Sequence, residues 1–117
     1  MRLGSSHATS PRPYMSAPDA LRFELELEFV QLLASPAYVQ WLSQQGYLDH
    51  APFVDGYLRY LLYWREPRYA RHLLCPAALS VLELLVSSKD FRAAAAQPGF
   101  VGYVQAQLTR ASQPAAA

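Results

Sequence analysis

Six prolines in the body of the chain, Pro18, Pro36, Pro52, Pro67, Pro76 and Pro98, each stand where a stretch of periodic apolar residues begins. Proline fixes φ near the helical value and lacks only an N–H that a first helical turn leaves unpaired, so at these positions it starts helices rather than breaking them. The spacing predicts an all-α fold: a compact orthogonal or bundle arrangement of about six short helices, forming a single domain over residues 18–110. Residues 1–17 carry Gly4, Ser5, Ser6, Pro11 and Pro13 with few apolar groups, and are expected to form a disordered arm. Residues 111–117 are expected to form a similar tail.

Local signals sharpen this outline. Leu21, Phe23, Leu25, Leu27 and Phe29 alternate with Arg22, Glu24, Glu26 and Glu28, which also suits a half-buried strand. Helix is preferred, because Glu24, Glu28 and Gln31 share a polar stripe, Arg22 and Glu26 can pair at i, i+4, and no second strand is available. Glu26 is read as an exposed charge. Ser35 suits the N-cap of a helix from Pro36 with Tyr38, Val39, Trp41 and Leu42 as its apolar positions, and Gly46 suits its left-handed stop. A third helix runs toward Pro67, with an Asp55–Arg59 pair and a Gly56 whose propensity cost implies either that packing outweighs it or that another backbone approaches closely. A fourth carries Tyr69, Ala70, Leu73 and Leu74. The segment Leu79–Val86 contains one charge, Glu83, and reads as a central helix wrapped by the others. Ser87 or Ser88 then caps a helix through Phe91, and a last amphipathic helix carries Val101, Val104 and Leu108.

The third helix has two apolar stripes. Val54, Leu58, Leu61 and Leu62 form one; Phe53, Tyr57, Tyr60 and Trp64, at i, i+4, i+7 and i+11, form the other. The aliphatic stripe suits a core. The ring stripe, with hydroxyls and an indole N–H, suits either an edge where a partner docks or an ordinary core ridge whose polar tips reach water. On the docking reading, Phe53, Tyr57, Tyr60, Trp64 and Tyr69 line a groove and Arg59, Arg65 and Arg68 flank it as donors. These arginines could equally make a solvated face.

Composition narrows the function classes. A hydrophobic fraction of 52% beside 16% charged residues leaves more apolar area than a chain of 117 residues can hide, which favours a permanent partner. The net charge of +1 gives little of the electrostatic attraction that nucleic-acid binding needs. A small helical DNA-binding module, with the third and fourth helices in a major groove, is therefore the alternative rather than the leading reading. The lone Cys75 excludes an internal disulfide and is expected to serve packing. No apolar run is long enough to span a bilayer, and the opening residues lack a secretory h-region, so a soluble protein is expected. His50 and His72 lack zinc-ligand spacing, and neither a nucleophile elbow nor a phosphate-binding glycine loop is present. No enzyme activity, cofactor, metal or small-molecule substrate is expected.

The run from Phe23 to Tyr38, F-E-L-E-L-E-F-V-Q-L-L-A-S-P-A-Y, closely resembles the opening of the Mediator complex subunit 31 family. Phe53-Val54, Tyr57 to Trp64 and Pro67-Arg68-Tyr69-Ala70 resemble that family's Y-L-x-Y-L-x-Y-W-x-x-P-x-Y-A core, and Leu79 to Leu85 its leucine-rich helix. Cys75-Pro76 stands where the family usually has Tyr-Pro, and the match loosens beyond Phe91. The resemblance implies a non-catalytic, nuclear adaptor in the middle module of Mediator, which supports regulated RNA polymerase II transcription. It implies as partners the other middle-module subunits and, directly, the extended proline-rich N-terminal segment of Mediator subunit 7. Tyrosine and tryptophan ridges suit such a ligand, since rings stack on pyrrolidines while hydroxyls meet free carbonyls.

Overall fold

The structure, a computed structural model, describes residues 17–112. Helix α1 spans Ala17–Leu32, α2 Pro36–Gln44, α3 Pro67–Ala70, α4 Ala77–Ser87, α5 Lys89–Ala94 and α6 Phe100–Ser112. Between α2 and α3 the chain forms a 3₁₀ turn, Tyr47–Asp49, and then a mixed helix made of a π segment, Pro52–Leu58, and a 3₁₀ segment, Leu61–Arg65. No strand occurs among the described residues. The expected arm lies outside the described residues apart from Ala17, and of the expected tail Ala111 and Ser112 instead continue α6.

The expected caps are in place. The Ser35 hydroxyl accepts from the Tyr38 N–H at 3.3 Å ahead of Pro36, Gly46 takes the left-handed conformation at φ 86°, and the Ser88 hydroxyl accepts from the Phe91 N–H at 3.0 Å. Helix α4 is central. Its Ala78, Val81, Leu82, Leu85 and Val86 are buried, and it packs on α1, α5 and both segments of the mixed helix. Arg92 donates to the carbonyls of Leu85 at 2.7 Å and Val86 at 3.3 Å, satisfying the C-terminal end of α4. Gln40 holds α2 to the α5–α6 connection through the carbonyls of Ala95 and Gln97.

The alternating pattern of the first segment belongs to a helix that is apolar on two sides. Phe23, Leu27 and Val30 turn toward the core, while Leu21, Leu25 and Leu32 are exposed. Arg22 pairs with Asp19 at 3.3 Å rather than with Glu26. The reason is phase: Glu26 shares the inward face with Val30 and Leu33 at i, i+4 and i+7, and is itself buried.

The mixed helix departs from an ideal α-helix in a way that relocates one ring. In a 3₁₀ helix residues three apart eclipse each other. Trp64 therefore stands directly below Leu61, and both are fully buried with Val54 and Leu58. An α-helical pitch would have aligned it with Phe53. The Asp55–Arg59 pair forms at 3.7 Å. Beyond its own helix, Gly56 has no described atom within 4 Å of where a Cβ would stand, so no backbone approaches it closely among the described residues.

Helix α3 stops at Ala70, short of the expected Leu74. The residues after it run along α1, with the Leu74 N–H donating to Gln31 Oε1 at 3.0 Å. Leu73 is buried, Leu74 almost fully exposed, and Cys75 exposed instead of packed.

Candidate partner-binding face

Aromatic rings from four consecutive elements form one continuous ladder. From α2 the centroids run Trp41 to Tyr47 at 6.1 Å, Tyr47 to Phe53 at 5.2 Å, Phe53 to Tyr57 at 5.9 Å, and Tyr57 to Tyr60 at 6.3 Å with the last two stacked. The ladder continues to Tyr63 at 5.4 Å and ends on Tyr69 of α3, 4.8 Å away and edge-on. Trp41, Tyr47, Tyr57 and Tyr60 are exposed, while Phe53, Tyr63 and Tyr69 are half-buried. Edge and offset contacts of this kind each add about 0.5–1.5 kcal/mol beyond area burial, so the ladder is a rigid surface.

A floor of rings supports it. Phe29 lies 5.6 Å from Tyr57 and 6.2 Å from Phe53, and Trp64 lies 5.5 Å from Tyr63 and 5.6 Å from Tyr69. Trp64 is 0% exposed, so it belongs to this floor and cannot stack on a ligand as a groove residue would. Its enclosed indole N–H makes no hydrogen bond of normal geometry, although it acts on the neighbouring Tyr63 hydroxyl by favouring the phenolate.

Glu26 is the polar centre. At 4% exposure, its carboxylate accepts the Tyr60 hydroxyl at 3.0 Å and, on the other oxygen, the Tyr63 hydroxyl. Burial, then the hydrogen bond and charge of Glu26, push the Tyr63 phenol far above its ordinary value. Burial and the same carboxylate raise Tyr60, with Arg22 opposing, and burial with Glu26 raises Tyr57. Burial and Tyr47 raise Tyr38. All four therefore remain neutral phenols at physiological pH.

Beside this cluster a cleft of about 310 Å³ is lined by Asp19, Arg22, Phe23, Tyr60, Tyr63 and Tyr69. The Trp41 indole N–H and the hydroxyls of Tyr47, Tyr57 and Tyr69 make no hydrogen bond within the described residues, which leaves a row of polar tips at the edge of an apolar strip.

Of the residues singled out in the sequence, Phe53, Tyr57, Tyr60 and Tyr69 come together. The arginines occupy the margin: Arg59 faces Asp55, Arg65 faces Glu83 at 3.4 Å, and Arg68 faces Glu66 at 3.2 Å while its guanidinium lies 5.0 Å from the Tyr69 ring centre. Sequence reasoning missed Trp41, Tyr47 and Glu26. The phase of Glu26 with Val30 and Leu33 was the signal available for the last.

The family model Med31, described as SOH1, matches residues 20–115. The chain belongs to the Med31 family. Among Med31 relatives, the Mediator of RNA polymerase II transcription subunit 31 of Caenorhabditis briggsae is 46% identical over 96 residues, covering 80% of this chain and 56% of that protein. The Danio rerio protein of the same name is 61% identical over 64 residues, 55% of this chain and 46% of its own length. That of Schizosaccharomyces pombe is 46% identical over 67 residues, 57% and 48% respectively. The chain thus spans about half the length of the curated relatives it matches.

Proposed function

We propose that this Med31-family chain is a non-catalytic scaffold subunit of Mediator that acts in the nucleus in RNA polymerase II transcription. On this reading its ring ladder holds an extended, proline-rich segment of Mediator subunit 7 and thereby joins the other subunits of the middle module. The observation that carries the reading is the exposed row of Trp41, Tyr47, Tyr57 and Tyr60, in which the Trp41 N–H and the Tyr47 and Tyr57 hydroxyls make no hydrogen bond among the described residues while the Tyr60 hydroxyl is held by Glu26. A polyproline II chain has no internal hydrogen bonds and advances about 9.3 Å per three-residue turn, so each turn meets one to two rings spaced as these are. Its prolines would stack on Tyr57 and Tyr60, its carbonyls would take the free hydroxyls and the Trp41 N–H, and Phe53 and Tyr69 would border the track. Arg59, Arg65 and Arg68 would tune the margin; each already faces a carboxylate, which weighs against the DNA-binding alternative.

The test is titration of the full chain with the subunit 7 N-terminal segment by calorimetry. Tyr57→Ala, Tyr60→Ala and Trp41→Ala should each weaken binding by about tenfold or more, in the range of ring anchors at protein interfaces, measured at a temperature where each variant is fully folded. Unchanged affinity in all three would refute the reading. A shift of duplex DNA at low salt would favour the alternative.

A further inference from the structure

The outer side of α1 is a second surface, separate from the ladder, that no described element covers. Leu21, Leu25, Glu28 and Leu32 recur at i, i+4, i+7 and i+11, the spacing of the seam positions in a two-helix coiled coil. The three leucines are 59%, 56% and 46% exposed. The fold does not need them there, since α1 builds its share of the core from the opposite side. Two carboxylates accompany the stripe, Glu28 within it and Glu24 along one edge, and neither forms an ion pair with a described residue, unlike Asp19 and Glu83.

We propose that this face docks an amphipathic helix of another subunit, one that lays a leucine-type ridge along Leu21, Leu25 and Leu32 and carries lysine or arginine opposite Glu24 and Glu28. The surface selects a helix rather than an extended chain because its anchors recur once per helical turn, are aliphatic, and offer no donors for free backbone carbonyls. It selects a basic helix because neither carboxylate is matched by a described cation. A second copy of this chain would bring its own Glu28 into the same seam, a burial of like charges that a basic helix avoids.

The proposal is tested with the full chain and two synthetic amphipathic helices, identical in their leucine ridge but carrying lysine in one and glutamate in the other beside it. The lysine helix is expected to bind and the glutamate helix to bind at least about tenfold more weakly, with the preference reversed by the double variant Glu24→Lys with Glu28→Lys. Leu25→Ser with Leu32→Ser should reduce binding of the lysine helix by about tenfold or more while leaving the melting temperature and the affinity for the proline-rich segment unchanged. Equal binding of the two helices, or indifference to the leucine substitutions, would overturn it. So would sedimentation of the wild-type chain as a dimer that Leu25→Ser converts to monomer.

Discussion

Replacing Glu26 with leucine is expected to lower the free energy of unfolding by about 2 kcal/mol, and the size follows from opposing effects. Two tyrosine hydroxyls donate to this carboxylate, one at 3.0 Å, and hydrogen bonds to a charged acceptor contribute roughly 1.5–3 kcal/mol each. Against that gain stands the desolvation of a carboxylate at 4% exposure with no described cation in direct contact, several kcal/mol that leucine recovers. What remains is the fate of the hydroxyls. Tyr60, 47% exposed, turns to water, whereas half-buried Tyr63 is left with an unmet donor that costs about 1–3 kcal/mol. Glu26→Gln keeps an acceptor for one hydroxyl and a donor for the other, so its change should stay within about 1 kcal/mol. Urea unfolding followed by tryptophan fluorescence measures both variants; for a domain of this size 2 kcal/mol corresponds to roughly 6–10 °C in Tm. A leucine variant as stable as wild type, with its tyrosines ionising at unchanged pH, would refute the bridging role assigned to this carboxylate.

Trp64→Ala should destabilise the chain by about 3–5 kcal/mol by opening a cavity in the core, so denaturation, not selective loss of binding, is its expected signature. Alkaline pH is expected to weaken the fold: the folded pKa of Tyr63 is raised above the unfolded value of about 10, so its contribution is complete below pH 10. Above that the unfolded state alone releases the proton, and stability should fall by at most about 1.4 kcal/mol per pH unit from this group, a contribution that Tyr63→Phe should remove from urea titrations between about pH 9 and about pH 11. Gly56→Ala should stabilise the free chain by about 0.5–1 kcal/mol, since the added methyl meets nothing within 4 Å. Thermal melts decide the sign, and a destabilisation would show that glycine is required by the π segment itself.

Sequence revealed what local chemistry determines. The Ser35 and Ser88 caps, the Gly46 stop and the Asp55–Arg59 pair each depend on residues within a turn of one another, and all four were legible. The identity of the central helix was legible too, because Leu79–Val86 has no polar face broad enough for an outer position. Trp64 follows the core-ridge reading of its stripe rather than the docking one, for a different reason. A change of pitch from π to 3₁₀ occurs within one continuous helix whose two segments both pack on α4, and it rotates a residue away from the stripe that ideal geometry assigns it. Glu26 reads as a surface charge because carboxylates are rarely buried, yet its phase with Val30 and Leu33 outweighs that preference once two tyrosines of a distant segment supply donors. Trp41 and Tyr47 join the ladder only through tertiary folding, and nothing in their immediate sequence neighbourhood announces it.

The stacking of exposed rings on enclosed ones has a consequence for how the surface can change over time. Tyr57 stands on Phe29, and Tyr63 and Tyr69 stand on Trp64, so a contact residue and its foundation cannot vary independently. A receptor built this way loses little freedom when it grips a flexible chain, because its own side chains are fixed beforehand and the ordering falls on the ligand alone. Even the outer rung obeys this constraint: Trp41 is stacked on Tyr38, which meets Phe29 edge-on, so a change at that end of the ladder is also felt in the masonry beneath.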